Sequence, residues 1–295
     1  MKRSEKWVFV VFLPSNTSTK TDAPMVYNSG RFIMKKYFAV FSVLILFAFT
    51  GCYKNAGDPI TKEFSVSGNY TELQVEDAFE VTVSDAVSQV TITAGENIMP
   101  KVVVEVDGNK LKIRLKPVAV VVNDTELKAV IPYNINLTNV DLSGASEFHS
   151  SFGLQGQKVE VELSGASDFY CNIAADKVEI DASGASNFYG NVNAASELFL
   201  DMSGSSNAAI TGQAPTFKMD LSGSSTFQRK VDGTRYAFSC SKCRGEMSGS
   251  SDAYLHCDNS IKVDLSGSSD LHYTGNASTS GCSCSGGSNV VHDVL

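Results

Sequence analysis

The chain has few of the residues on which most enzymes and nucleic-acid-binding proteins depend. Its 295 residues include four histidines, one tryptophan and 24 basic residues against 32 acidic ones, a formal net charge of −8. The histidines are scattered, and no sequence pattern combines a nucleophile, a base and an orienting group. A shortage of basic residues argues against nucleic-acid binding, which depends on neutralising phosphates. We therefore expect a chain that is not an enzyme, binds no nucleic acid and needs no metal or cofactor.

Long apolar runs are equally scarce, and the one clear run lies near the N-terminus. Met34-Lys-Lys-Tyr precedes an apolar run from Phe38 to Phe49, which Thr50-Gly51-Cys52 follows. A basic start, a short apolar core and small residues before a cleavage point are typical of a secretory signal. Because this signal ends on Gly-Cys, it resembles a bacterial lipoprotein signal with Cys52 as the lipidated residue. The alternative is an ordinary secretory signal with a chance cysteine.

These features divide the N-terminal part of the chain. We predict that residues 1–33 come from an over-long gene model, that 34–51 are the signal peptide and that 52–63 are a tether. The predicted mature chain carries 17 basic and 30 acidic residues and no second apolar stretch long enough to cross a membrane. A lipid anchor would then be its whole membrane attachment. We expect an outer-membrane lipoprotein of the cell envelope, facing either the outside or the periplasm.

One short motif, Ser-Gly-Ala/Ser-Ser, recurs through the second half of the chain. A fixed period of this size is typical of a solenoid, in which each repeat forms one coil stacked on the last. Alternating apolar residues on both sides of the motif predict two β-strands joined by a tight turn. The copies begin 18 to 26 residues apart, at Ser143, Ser164, Ser183, Ser203, Ser222, Ser248 and Ser266, with a degenerate copy at Ser285.

Glycine in the motif supplies a backbone conformation that other residues resist, so these glycines are predicted to form the turns. They are Gly144, Gly165, Gly184, Gly204, Gly223, Gly249 and Gly267. The predicted solenoid covers residues 140–295. Residues 64–139 contain short β-type runs instead, with a hairpin turn at Asp107-Gly108-Asn109-Lys110. This N-terminal β region forms either the first coils or a separate capping sheet.

Alignment of the copies defines columns of equivalent residues. The position two before each motif is acidic in Asp141, Glu162, Asp181, Asp201, Asp220, Glu246 and Asp264. This acidic column is predicted to be a solvated face. Calcium held between coils is the less favoured alternative, because the glycine-rich nonapeptide of calcium-binding β-rolls is absent. Since like charges in a ladder repel one another, we expect cations to stabilise it modestly.

Two features are candidate binding surfaces. An outward column after the motif contains His149, Tyr170, Tyr189, Tyr254 and His272, with Ala209 and Gln228 at the intervening positions. Such aromatics suit stacking on sugars or peptides, although high β propensity alone would also place them there. The repeat from Ser222 to Ser248 has about seven extra residues and carries Arg229, Lys230 and Arg235. This basic patch could recruit an anionic partner or contact the acidic column of its own coils.

The cysteines beyond Cys52 allow three interpretations. Cys282, Cys284, Cys243 and Cys257 all fall on inward columns, the last on that of Ile173 and Val192, which favours buried thiols. A disulfide from Cys240 or Cys243 to Cys257 is the second possibility, and a metal site the third.

Together the lipoprotein start, the all-β run through Val130-Ile131-Pro132 and the Asp-Leu-Ser-Gly-Ala-Ser repeats resemble the auto-transporter adhesin head GIN-domain proteins of the Bacteroidetes, over about residues 64–290. The resemblance implies an all-β, right-handed β-helix or β-solenoid of about 20-residue coils that is pectin-lyase-like but without catalytic residues. It also implies adhesion to a glycan or protein, with self-association possible. The alternatives are a periplasm-facing scaffolding protein of the envelope and, less favoured, a carbohydrate-active enzyme.

Overall fold

The computed structural model describes residues 56–66, 69–117, 126–228 and 237–294. Cys52, the predicted signal peptide and the basic residues Arg229, Lys230 and Arg235 lie outside these ranges. The described part is built from β-strands, and its one helix is a short 3-10 turn at Met99–Lys101. No helix among the described residues is long and apolar enough to cross a membrane.

Twenty strands hydrogen-bond into one sheet across the described residues. The strands before the first motif are β1 (Pro59–Phe64), β2 (Glu72–Val75), β3 (Phe79–Ser84), β4 (Val90–Gly95), β5 (Val102–Asp107), β6 (Lys110–Leu115), β7 (Leu127–Pro132) and β8 (Asn139–Leu142). The strands after it are β9 (Glu147–His149), β10 (Leu154–Leu163), β11 (Asp168–Tyr170), β12 (Ile173–Ala182), β13 (Asn187–Met202), β14 (Asn207–Leu221), β15 (Thr226–Phe227), β16 (Phe238–Met247), β17 (Asp252–Leu265), β18 (Asp270–Thr274), β19 (Ser283–Cys284) and β20 (Asn289–His292).

Successive repeats pair in parallel and in register on both sides of the motif. Before the motif, Val161 of β10 is the partner of Ile180 in β12. After it, Phe169 of β11 is the partner of Phe188 in β13. Equivalent residues therefore stack in the columns predicted from the alignment, about 4.8 Å apart.

The N-terminal β region continues the same stack. β2 pairs in parallel with β8 of the first repeat and with β6, while β3 pairs with β9 and β7. Antiparallel pairs β1–β4, β4–β7 and β5–β6 lie at this end. The predicted hairpin joins β5 to β6, and Gly108 adopts a φ of +64° there. This region thus forms first layers of the stack together with antiparallel strands that cover its end.

The tether predicted for residues 52–63 is shorter in the structure, because residues 59–63 belong to β1. Five of the six side chains of this strand are exposed. Its backbone pairs with β4 from Pro59 to Phe64. An edge strand held by backbone pairing has no buried face, so it lacks the apolar alternation by which strands are recognised in a sequence.

Apolar columns fill the interior between the strands. Phe148, Phe169 and Phe188 are fully buried and stack with ring centroids 5.2 and 4.9 Å apart. The spacing of the rings follows the spacing of the strands, so one side chain type can fill the same position in successive repeats. Burial of such a side chain contributes about 1.5–3 kcal/mol to folding.

The positions of the cysteines differ in part from the prediction. Cys240, Cys243 and Cys257 are buried, but Cys284 is exposed because β19 is the outermost strand on its side of the stack. Cys257 does not share the column of Ile173 and Val192. It stands in register with Cys240, which pairs with Ala214, whereas the column of Ile173 and Val192 continues through Gly212 to Phe238, two residues before Cys240. Sequence spacing cannot show such a shift.

The motif forms the turn through its second and fourth residues. All seven motif glycines have φ between +74° and +78°, the left-handed region that favours glycine. A Cβ on Gly184 would lie 2.3 Å from the carbonyl oxygen of Gly165 in the preceding repeat. The fourth residue is a buried serine whose hydroxyl donates to the carbonyl of the first, as Ser186 does to Ser183 at 2.8 Å. The third residue is exposed, which explains why either alanine or serine can occupy this position.

Replacement of the motif glycine should therefore destabilise the protein, whereas replacement of its neighbour should not. We expect Gly184→Ala to lower the free energy of unfolding by about 1–3 kcal/mol, because it combines a strained φ with a backbone clash. The matched control is Ala185→Ser, which converts the motif to the form found at Ser203. Urea unfolding of the two variants measures the difference, and equal stabilities would contradict this account of the turn.

Candidate binding surface

The outward aromatic column lies on the short strands that follow the motifs. His149, Tyr170 and Tyr189 are in-register partners on β9, β11 and β13. Their ring centroids are 4.5 and 4.9 Å apart, and successive planes differ by 7°. All three side chains are half-buried. The column is thus a face-to-face stack of rings that the sheet spacing holds together.

Stacking within the column limits what the rings can offer to a ligand. Both faces of Tyr170 are covered, one by His149 and the other by Tyr189. Only the ring edge and the hydroxyl of Tyr170 are available to solvent. Burial, followed by the charge of Asp168, raises the pKa of this phenol, so its hydroxyl stays protonated as a donor.

The stack ends at Tyr189. The next residue in the column is Ala209, whose methyl group stands in register with the Tyr189 ring. Among the described residues, no second aromatic ring packs against Tyr189 besides Tyr170. The small side chain of Ala209 therefore leaves a step in the column beside the outer face of Tyr189.

Gln228, which the sequence places next in the outward column, is buried instead. Its backbone has a φ of +66°, and its side-chain amide donates to the carbonyl of Ile210. The left-handed backbone turns this side chain inward at the end of β15. Beyond it, Tyr254 and His272 form a second stack with centroids 4.8 Å apart. The predicted column is therefore two stacks separated by Ala209 and Gln228.

A column of carboxyl and amide groups runs beside the first stack. Its members lie two residues earlier on the same strands and therefore project from the same face. Asn187 donates to Asp168 at 2.7 Å, and Asn207 donates to Asn187 at 3.0 Å. Glu147 contacts the Nε2 atom of His149 at 3.1 Å. The recurring polar residue after each motif is visible in the sequence, but the sequence pattern alone does not indicate that it borders a candidate site.

A second polar column borders the stack on its other side. Asn191 lies two residues after Tyr189, and its side chain donates to Thr211 Oγ1 at 2.9 Å. The side chain of Asn172 accepts a hydrogen bond from the backbone of Asn191 at 2.8 Å. The aromatic stack is thus flanked on both sides by fixed hydrogen-bonding groups, an arrangement that can bind a polar ligand with an apolar face.

The acidic column lines a surface groove of about 330 Å³ near the turns. Its walls include Asp141, Glu162, Asp181 and Asp201 together with motif serines. Burial raises the pKa of all four carboxyls, and neighbouring carboxylates raise each further. The largest effect raises the pKa of Asp181 to about 6. No group of three or more potential metal-ligating side chains in the described residues has a geometry that could hold a metal ion.

Each histidine of the described chain has a local hydrogen-bond partner. His149 contacts Glu147, His256 contacts Asp258 and Thr274, and His272 contacts Asp293. His292 donates from Nε2 to the carbonyl oxygen of Gly275 at 2.9 Å. None of these partners is a serine or a cysteine, and the one hydroxyl among them is that of Thr274, 2.9 Å from Nδ1 of His256.

The pKa of Asp181 predicts a pH dependence of stability. Folding raises this pKa from 3.8 to about 6, so the folded state binds the proton more tightly than the unfolded chain. Protonation of Asp181 therefore stabilises the fold. This contribution is complete below pH 3.8, the pKa in the unfolded chain, and is lost as the pH rises through about 6. We expect Asp181→Asn to raise Tm at neutral pH and to flatten the Tm profile across this window. The control is Asp176→Asn, at an exposed aspartate outside the acidic column. The same change of Tm in both variants would contradict the assignment of the pH dependence to Asp181.

Solved structures share this fold at low sequence identity. An adhesin from Parabacteroides merdae ATCC 43184, described as putative, has a TM-score of 0.70 at 16% identity, over 82% of this chain and 99% of that one. Another adhesin described as putative, from Parabacteroides distasonis ATCC 8503, has a TM-score of 0.67 at 20% identity, over 82% of this chain and 100% of that one. A protein of the same organism described as "Putative lipid binding protein" has a TM-score of 0.66 at 19% identity, over the same shares. No curated protein matches the sequence.

One family profile matches residues 69–196 and 186–277, and therefore most of the chain. Its two matches run from the first layers of the stack through β18. They include seven of the motif glycines and both aromatic stacks. The chain belongs to the family described as "Putative auto-transporter adhesin, head GIN domain".

Proposed function

We propose that this chain is a non-catalytic adhesin of the cell envelope that binds a glycan through the first aromatic stack. The observation that supports the proposal most directly is the step beside Tyr189, where the outer ring face adjoins Ala209 between two polar columns. We also propose that the repeats wind as a right-handed β-helix of about 20-residue coils. Support for this comes from parallel, in-register pairing between successive repeats.

A sugar ring matches the chemistry of this step. Pyranoses have an apolar face that can pack on an aromatic ring and a rim of hydroxyl groups that need partners. Asn187 and Asn207 lie on one side of the step, and Asn191 and Thr211 lie on the other. These amides and hydroxyls can both donate and accept, as sugar hydroxyls do.

A peptide fits the surface less well. Extended peptides usually bind by adding a strand to an open sheet edge. The aromatic stack lies on the face of strands that are paired on both sides, since β11 pairs with β9 and with β13. Backbone hydrogen bonds are therefore already satisfied at this surface, and side-chain contacts must supply the affinity.

The absence of catalysis is part of the proposal. The acidic column has one carboxylate in each repeat. The stacking of repeats is enough to explain this regular column, so it does not indicate a catalytic cluster of carboxylates. The described histidines are held by carboxylates, Thr274 or backbone. A binding protein needs only a stable, repetitive surface, and this is what the parallel stack supplies.

Two substitutions at the step test the glycan proposal. We expect Tyr189→Ala to weaken binding of a glycan identified by array screening by up to about tenfold, through loss of the ring face. Ala209→Phe should also weaken it, because the new ring would continue the stack and cover that face. The control is Tyr133→Ala, which removes an exposed tyrosine that packs on Phe152 and is not part of the stack.

Titration calorimetry with the selected glycan measures these changes. Retained affinity in both Tyr189→Ala and Ala209→Phe would contradict the proposed site. Capture of a defined protein ligand, with no glycan bound, would replace the glycan by a protein partner.

We further propose that Cys52 is the lipidated residue and that it anchors the protein in the outer membrane. The basis is the signal-like segment ending in Thr50-Gly51-Cys52. Metabolic labelling with radioactive palmitate should label the wild-type protein and not Cys52→Ala, with Cys171→Ala as the labelled control. Equal labelling of Cys52→Ala would contradict the anchor.

Protease treatment of intact cells, with a tag after Leu295, determines which side the protein faces. Loss of the tag while a periplasmic control protein survives would agree with surface adhesion. Protection of the tag until the outer membrane is broken would favour the scaffolding role inside the envelope.

A further inference from the structure

Two cysteines are direct partners on neighbouring strands. Cys240 of β16 and Cys257 of β17 pair in register. Among the paired residues of the described strands, this is the one pairing that joins two cysteines. Cys243, three residues further along β16, faces Phe217 and Ile261 instead.

The geometry of this pair suits a covalent bond. In-register partners on adjacent strands have Cα atoms about 4.8 Å apart, within the range of about 4.4–6.8 Å that disulfides span. Both side chains are buried, and as in-register partners they project from the same side of the sheet. Bond formation therefore requires little movement of either strand.

A cavity gives access to one of the two thiols. Cys240 lies in the lining of a surface cavity of about 470 Å³, with Ser239, Ser241, Pro215 and Asp258. Ser241, Pro215 and Asp258 are exposed, so the cavity is continuous with the protein surface. Cys257 is fully buried and is not among the residues that line this cavity. A reagent from solvent would meet Cys240 first.

We propose that Cys240 and Cys257 are a modification site that takes an external disulfide as reactant and becomes a disulfide between two neighbouring repeats. The pair first loses one proton to solvent. As Cys240 attacks the external disulfide, the remaining proton moves from Cys240 to Cys257, so that a mixed disulfide forms and one external thiolate leaves. Cys257 then attacks the Cys240 sulfur and releases the second. The two protein thiols lose two electrons and two protons, and the external disulfide is reduced to two thiols that take up both protons.

The environment of Cys257 suits this second step. In the reduced protein the neighbouring Cys240 thiol lowers the pKa of Cys257 against the effect of burial, and backbone hydrogen bonds from Asn259 and Ser260 lower it further. The backbone hydrogen bonds remain when Cys240 is in the mixed disulfide. Hydrogen bonding to Cys257 and burial raise the pKa of Cys240. Because the thiolate is the attacking species, these backbone hydrogen bonds favour Cys257 as the resolving group.

This inference goes beyond the proposed adhesin function and does not depend on a glycan. Disulfides persist in oxidising compartments, so the proposed export supplies the physiological setting, while the chemistry can be tested in vitro. The cross-link would tie β16, the first strand after the seven-residue insert in the sequence, to the following repeat. It would close a loop from residue 240 to 257 in the unfolded chain.

The test treats the folded, reduced protein with oxidised glutathione. Intact mass is expected to fall by two hydrogens, and alkylation followed by peptide mapping is expected to join the peptides of Cys240 and Cys257. Tm of the oxidised protein should rise by about 5 °C, because the cross-link restricts the unfolded chain. The joined peptides and the rise in Tm should be absent in Cys257→Ser and present in the control Cys243→Ala.

Two results would overturn the proposal without depending on the folding of any variant. One is full alkylation of Cys240 and Cys257 in wild-type protein after the oxidant treatment. The other is a cross-link that maps to Cys243, Cys282 or Cys284 instead.

Discussion

Parallel pairing in register, one repeat upon the next, places every residue above its equivalent at the distance between neighbouring strands, about 4.8 Å. A side chain must therefore be compatible with a copy of itself, and the interior, the turns and the surface columns all follow from this requirement. Phenylalanine meets it in the interior, where Phe148, Phe169 and Phe188 stack as a column. Serine meets it at the turn, because each buried hydroxyl bonds within its own motif and needs nothing from the next repeat.

The same constraint is unfavourable for charged side chains. Stacked carboxylates repel one another, and partial burial adds a desolvation cost, so protonation is favoured in the folded state. Asp181, with acidic neighbours in both adjacent repeats, shows the largest of these shifts in the acidic column. Asparagine resolves the conflict in the neighbouring polar column, where Asn187 donates to Asp168 and accepts from Asn207. An amide is self-complementary, whereas a carboxylate is not.

Chemistry beyond simple stacking arises where the repetition is interrupted. The aromatic stack ends at Tyr189, because the next residue of the column is Ala209 and not an aromatic residue. Gln228 interrupts the same column through a left-handed backbone that turns its side chain inward. Cys240 and Cys257 replace ordinary apolar residues at one cross-strand position and bring two thiols together. A repetitive surface can therefore acquire local binding or redox properties by changing one or two residues, since the neighbouring repeats keep the backbone in place.

Most of the strands, the turns and the columns could be predicted from the sequence, because each depends on short-range patterns that recur with the repeat. Counting from the motif was enough to align Val161 with Ile180 and Glu162 with Asp181. Membership of the family followed from the same repeats. Counting failed after the repeat that carries the insert, where Cys257 lies beside Cys240 and not in the column of Ile173 and Val192. That pairing, the burial of Gln228, the exposure of Cys284 and the covered faces of Tyr170 became apparent only in the folded chain. Each depends on the local direction of the backbone and on which strand lies next, and spacing along the chain encodes neither.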